Sequence, residues 1–196
     1  MAIYQAVFLI DVGKVLVDYD WGIMFQMLSR HSGLPTNIIG GRFLSPNYQK
    51  LSSQFCKGRI SSRAYYKRSC EILGIGTGNL RFSFEEFVKC FNSILLGEIR
   101  GVVDLLPALR NRFDLMIIIT NSNELHFNFI TSKMPQLFQS FDLVIASHKV
   151  GFLKPEKEIY DLALKFMRSH EIRPENALFV DDIQKNLDGA KTAGIG

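Results

Sequence analysis

The chain has 196 residues, 47% of them hydrophobic and 12% aromatic, and a formal net charge of +4. That length and apolar content suffice for a packed core and exclude a disordered polar chain. No apolar run reaches the roughly 18 residues needed to cross a bilayer and the start lacks a signal-peptide pattern, so a soluble cytoplasmic protein is expected, with Cys56, Cys70 and Cys90 as reduced packing residues.

The first element in chain order is a strand at Ala6 to Ile10, short and continuously apolar as expected of a strand buried on both faces. Asp11 heads the loop that follows it, Asp11 to Leu16. From about Trp21 to about Glu98 the strand character is lost. Phe25 to Leu28, Leu51 to Phe55, Tyr65 to Ile72 and Phe84 to Leu96 carry apolar residues at helical spacing, punctuated by Ser32 to Pro35, Gly40-Gly41, Ser45 to Asn47 and Gly74 to Gly78. This is an all-helical insertion, residues 21–98, in an α/β domain made of residues 1–20 and 99–196. Between Trp21 and Cys70 there is no Asp or Glu, while Arg30, Arg42, Lys50, Lys57, Arg59, Arg63, Lys67 and Arg68 are cationic. Such a stretch either draws in anionic ligands, a phosphorylated metabolite or a nucleic-acid backbone, or is an ordinary solvated helical surface.

Past the insertion come a helix near Val102 to Arg112, a strand at Leu115 to Ile119, a strand at Leu143 to Ala146, a helix at Glu156 to Ser169 and a strand at Ala177 to Val180. Strand and helix alternate, which argues for a Rossmann-like parallel sheet. The chain closes on Ala193 to Gly196, where a sheet of this type would usually continue with another strand. A truncated C-terminus with an uncapped sheet edge is therefore expected.

Polar clusters follow apolar runs: Asp11 after AVFLI, Thr120-Asn121 after LMIII, Lys154-Pro155 after VGFL and Asp181-Asp182 after ALFV. Ligands of parallel sheets bind beyond the carboxyl ends of the strands, so Asp11, Thr120 and Asp181 should converge in space. A carboxylate such as Asp11 can attack phosphorus if cations cancel the repulsion between two anions. Asp181 and Asp182 are suited to a hard divalent ion, Mg²⁺ in the first place; Lys154 adds a fixed charge, and Thr120 with nearby N–H groups can hold phosphate oxygens. Taken singly, each cluster is also an ordinary turn, loop or helix cap.

With these residues in this order the chain resembles the haloacid dehalogenase superfamily of phosphotransferases along nearly its whole length. FLIDVGKVLVDYD is similar to the first motif, IIITNSN to the second, ASHKVGFLKPEKEIYDLAL to the third and LFVDDIQKNLDGAKTAGIG to the fourth. The resemblance implies Asp11 as nucleophile, Thr120 and Asn121 as phosphate binders, Lys154 as the balancing cation, and Mg²⁺ held by Asp11, the Gly13 carbonyl and Asp182, with Asp181 acting through water. It also implies that the helical insertion is a small cap of the phosphoglucomutase-like and sugar-phosphatase-like branch, in which CKGRISSRAYY resembles a Gly-x-Ile-Ser stretch. One departure is chemical: phosphatases of this family place an acid two residues after the nucleophile, and this chain has Gly13 there. A missing general acid typically costs about 10²- to 10⁴-fold; the Asp-x-Gly form is similar to a subgroup that includes sugar-phosphate phosphatases, and Lys14, Asp18 or a residue of the cap are the candidates to replace the acid.

A receiver domain uses similar residues in another order and has no such insertion. Dehalogenating members lack the acidic pair. The expectation is thus an Mg²⁺-dependent phosphatase of a small phosphorylated metabolite, for example a sugar phosphate, acting through an aspartyl phosphate as a monomer or homodimer. No membrane or nucleic-acid partner is expected. The alternative is a catalytically weak domain of the same fold that binds a phosphorylated ligand or RNA.

Overall fold

A computed structural model describes residues 6–76 and 82–196 of the chain. Residues 1–5, at the start that lacks a signal-peptide pattern, and the end of the Gly74 to Gly78 turn lie outside these.

The elements in chain order are β1 (Val7–Ile10), β2 (Val17–Tyr19), α1 (Trp21–Ser32), α2 (Thr36–Phe43), α3 (Pro46–Cys56), α4 (Ser62–Leu73), α5 (Phe84–Asn92), β3 (Leu95–Glu98), α6 (Arg100–Val103), α7 (Leu106–Arg110), β4 (Leu115–Thr120), α8 (Glu124–Lys133), α9 (Gln136–Gln139), β5 (Leu143–Ala146), α10 (Ser147–Val150), α11 (Lys157–Ser169), β6 (Ala177–Val180) and α12 (Gln184–Ala193). Four strands form a parallel sheet in the order β5-β4-β1-β6, with β1 paired to β4 and β6 and β4 to β5. Side chains alternate between its faces. Val7 and Leu9 with Leu115, Ile117 and Ile119 pack under α11, against Ile159, Ala163 and Met167. Phe8 and Ile10 with Met116 and Ile118 pack on the other face, against Leu106, Ile130 and Leu137. Helices on both faces are what the unbroken apolar runs require: a three-layer α/β fold of the Rossmann-like kind. β6 is an edge strand, with Leu178 and Val180 exposed.

Helices α1 to α5 gather around an apolar cluster of their own that includes Met24, Leu28, Tyr48, Tyr65, Phe87 and Phe91. Several of their ends carry local signals. Gly33 closes α1 in the left-handed region (φ 70°), Ser45 caps α3 with Pro46 in its first turn, and Ser83 with Glu86 forms a reciprocal capping box on α5.

Three readings of the sequence need correction. Gly40-Gly41 does not break a helix: both lie inside α2, because Ile39 and Phe43, four residues apart, are buried together in the helical cluster. Phe84 to Leu96 is not one helix: α5 ends at Asn92, and Leu95–Glu98 forms β3, which pairs antiparallel with β2. That ribbon sits at the two ends of the helical insertion, and the length of each strand is too short to show a period of two. Val102 to Arg112 is split into α6 and α7, since Pro107 in the first turn of α7 has no N–H to continue a helix from above.

Candidate active site

Asp11 follows β1 directly, and its N–H donates to the Val180 carbonyl on β6 (2.9 Å), which fixes the chain at the carboxyl end of two strands at once. The residue is 7% exposed. Its Oδ1 accepts from the Val12 N–H (2.7 Å) and lies 3.0 Å from Lys154 Nζ. Burial pushes the Asp11 carboxyl above its usual range; the Lys154 charge opposes this and the Asp181 charge adds to it.

Lys154 is not a solvated loop lysine. Its side chain is fully buried, and Nζ donates to Asp181 Oδ2 (2.6 Å) while facing Asp11. Its backbone is clamped: the Lys154 N–H donates to Asn121 Oδ1 (2.7 Å), and Asn121 Nδ2 donates back to the Lys154 carbonyl (2.9 Å). The peptide bond to Pro155 is cis. Asn121 therefore ties the loop after β4 to the loop that carries the lysine.

Asp181, at the end of β6, has both oxygens engaged. Oδ1 accepts from the Ile183 N–H and from Asn186 Nδ2, each at 2.9 Å, and Oδ2 takes Lys154. Asn186 is buried on α12, and its carbonyl accepts from the Tyr160 hydroxyl (2.7 Å) on α11. Asp182 is exposed. Single ligand atoms of Asp11, Asp181 and Asp182 lie within 4.8 Å of one another. Three hard oxygen donors that close fit a divalent cation of the Mg²⁺ type. Asp181 already accepts three protein donors, so Asp11 and Asp182 are the carboxylates with most capacity left for direct ligation.

A cavity of about 200 Å³ opens on this cluster. Asp11, Gly13, Thr120, Asn121 and Asp182 line it, while Lys154 and Asp181 stand behind. Thr120 is buried at the last position of β4. Beyond it Asn123 caps α8, accepting from the His126 N–H (3.0 Å), so the positive end of that helix borders the cavity. The far wall comes from the helical insertion and the ribbon: Tyr19, Trp21, Phe91, Ile94 and Leu95.

Ser147, Asn186 and His126 were not singled out in the sequence. Ser147 Oγ, wholly buried, accepts from the Ser122 N–H (2.9 Å) and sits 2.7 Å from the Cys56 carbonyl, joining the loop after β4 to the end of α3. It follows the apolar run Leu143 to Ala146, the same signal that marked the other sites. Asn186 and His126 lie on helices, where no such signal exists. Of the cationic residues of the insertion, Lys57 is paired with Glu156 across to α11 and Arg42 donates to the Leu73 carbonyl (2.7 Å) at the end of α4.

The haloacid dehalogenase-like hydrolase family matches residues 67–194, and the chain belongs to that family of hydrolases. It is 25% identical to mouse (Mus musculus) bifunctional epoxide hydrolase 2 over all of its own length and 36% of that protein. The chain spans about a third of the length of the curated relatives it matches. Among solved structures, a HAD family enzyme of Bacteroides thetaiotaomicron superposes with a TM-score of 0.83 at 22% identity, covering 98% of this chain and 91% of that one. L-2-haloacid dehalogenase of Xanthobacter autotrophicus superposes with a TM-score of 0.64 at 17% identity, covering 97% and 75%. The likeness to these structures carries the fold.

Proposed function

We propose that the chain is an Mg²⁺-dependent phosphatase that hydrolyses a small phosphorylated metabolite through an aspartyl phosphate on Asp11. The observation that carries this reading is the placement of Asp11, Asp181 and Asp182 within 4.8 Å, with Lys154 buried among them and Thr120 at the same cavity. The Bacteroides enzyme of the same fold has been crystallised with magnesium and inorganic phosphate, which supports it further. A dehalogenase is disfavoured because an acidic cluster of this kind serves a cation and a phosphoryl group rather than a halide.

Magnesium held by Asp11, Asp182 and the Gly13 carbonyl would neutralise phosphate charge and return the Asp11 carboxyl toward its ionised form. The rest falls to the chain. Val12 N–H and Lys154 meet Asp11 Oδ1 and so orient the carboxylate that attacks phosphorus. Thr120 and the N-terminal end of α8 hold the remaining phosphate oxygens, and Lys154 offsets the charge that gathers in the transition state. A water then cleaves the acyl phosphate and frees Asp11.

Gly13 favours a second reading, a phosphate-binding domain without turnover. One assay separates the two. With Mg²⁺ and a panel of phosphate esters the protein should release phosphate, and Asp11→Asn should lower kcat by roughly 10³-fold or more. Turnover that survives the substitution refutes the nucleophile, and no turnover of any ester favours the binding domain.

A further inference from the structure

The two sides of the cavity differ chemically. Asp11, Thr120 and Asp182 make a polar floor; the opposite wall is built mostly of rings and aliphatic side chains, with Ser52 and Cys56 beside them. Trp21 lies at its centre, with ring centroids 5.9 Å from Tyr19, 6.5 Å from Phe91 and 6.1 Å from His126. Phe91 and His126 stack at 4.2 Å. The histidine adds a flat, uncharged surface, because both of its nitrogens are spent inside the protein. Nε2 faces the Phe91 carbonyl (3.0 Å) and must donate to it, and Nδ1 then accepts from Asn123 Nδ2 (3.0 Å). Offset rings packed this way present their faces and edges to another ring.

Size is a second consideration. An apolar cavity of about 150 Å³ is enough for benzene, so about 200 Å³ accommodates a single ring against the floor. A sugar would meet too few partners on this wall, and each buried hydroxyl left unpaired weakens binding.

The third observation is the fate of the leaving oxygen. Gly13 carries no acid, and the Tyr19 ring stands in the space: its Cε1 is 3.2 Å from where a Cβ on Gly13 would lie. The two lining side chains that ordinarily titrate closest to neutrality are both withdrawn. Burial pushes the Cys56 thiol up to about 11 and the His126 imidazole down to about 4. Lys14 and Asp18 are paired with each other and do not line the cavity. An ester oxygen leaving this site therefore leaves as an anion. A phenolate, whose acid has a pKa of about 10, departs far more readily than an alkoxide, whose parent acid is nearer the value of about 16 for water.

We infer that the substrate is the phosphate monoester of a small single-ring phenol, held by the Trp21 wall and expelled as a phenolate; the inference rests on the phosphatase reading above. An Asp11 oxygen bonds to phosphorus as the bond from phosphorus to the aryl oxygen breaks. The aryl oxygen keeps the electron pair and takes its proton from solvent after release. Water then attacks phosphorus, Asp11 leaves as the carboxylate, and both protons of the water leave with the product as dihydrogen phosphate, which exchanges one with solvent.

The test compares kcat/KM, with Mg²⁺ present, for phenyl phosphate, ring-substituted phenyl phosphates of graded phenol acidity, a hexose phosphate, a straight-chain alkyl phosphate and acetyl phosphate. Phenyl phosphate should exceed the hexose and alkyl esters by roughly 100-fold, with rates rising as the phenol becomes more acidic. In Trp21→Ala the ratio of phenyl phosphate to acetyl phosphate should fall about ten-fold, through KM. If that variant does not fold, Trp21→Leu keeps the bulk without the ring and should show the same loss. Hexose or alkyl esters turned over as well as phenyl phosphate, or a ratio unmoved by loss of the Trp21 ring, would overturn the inference and leave the phosphatase reading standing. No turnover of any ester or of acetyl phosphate would remove both.

Discussion

At the scale of single residues, the site depends on buried polar side chains held by partners inside the protein. Lys154 and Asp181 are the charged example, and His126, with both ring nitrogens engaged, the neutral one. His126 caps nothing itself; it braces Asn123, which starts α8, against the Phe91 carbonyl on α5. Its pKa is depressed to about 4 by burial, against an unfolded value of about 6.5. Between those values the unfolded chain binds the proton and the folded one does not, so stability is complete above about pH 6.5 and is lost as pH falls toward 4. The loss attributable to this residue is on the order of 3 kcal/mol. Urea unfolding of the protein and of His126→Gln across pH 4 to 7 should show the wild type losing stability more steeply on acidification. Parallel pH dependences would refute the assignment. Nothing in the sequence announces this role: the partners of His126 are a near neighbour and a carbonyl on another helix, and a lone histidine in an apolar stretch looks the same with or without them.

Among elements, the hardest contact is between the turn after α3 and the helix α10. Gly58 has φ +65°, and a Cβ there would lie 2.1 Å from the His148 carbonyl oxygen. The obstacle is backbone, so it cannot rotate away, and the left-handed conformation adds its own cost of roughly 1 kcal/mol for a residue with a side chain. Beside it the Ser147 hydroxyl meets the Cys56 carbonyl and Lys57 meets Glu156. Gly58→Ala should therefore destabilise the protein by about 2 kcal/mol or more and unseat this turn. Thermal denaturation measures the first, and faster amide exchange at 57–62 the second; a neutral substitution would mean that the contact is looser than 2.1 Å implies. How much of this was legible varies with the kind of element. β1, β4, β5 and β6 are readable because burial on both faces forces continuous apolar runs, and Asp11, Thr120 and Asp181 are readable because parallel strands deliver their carboxyl ends to one place. The β2 and β3 ribbon is hidden, since VDY and LLGE are short and mixed. The glycines of α2 mislead because packing of Ile39 and Phe43 outweighs local preference. α8 escapes notice because ELHFNFITSK has weak helical periodicity.

On the scale of the whole molecule, a helical layer with its own apolar cluster faces a sheet with two, and the cavity lies where they meet. A ligand bound there acts on the stability of the entire fold. Without a cation, Asp11 is buried near Asp181, and its carboxyl titrates above the normal range. A raised carboxyl means that the folded state holds its proton more tightly than the unfolded one. This contribution to stability is present below the unfolded pKa and is lost as pH rises through the folded value. Mg²⁺ bound by Asp11 and Asp182 would compensate for that loss, so the stabilisation it gives should grow as pH rises through the titration of Asp11. At 100 times its Kd a ligand adds about 2.7 kcal/mol, which for a chain of this size corresponds to a rise in Tm of roughly 5 to 10 °C. Differential scanning fluorimetry with Mg²⁺ and with EDTA over a range of pH reads this without any substrate. The shift should be reversible by EDTA and largely absent in Asp182→Asn, whose carboxylate faces the cavity and is not part of the buried network with Lys154. A Tm insensitive to Mg²⁺, or a shift kept in full by Asp182→Asn, would mean that this acidic cluster is held together by Lys154 alone and does not bind the ion.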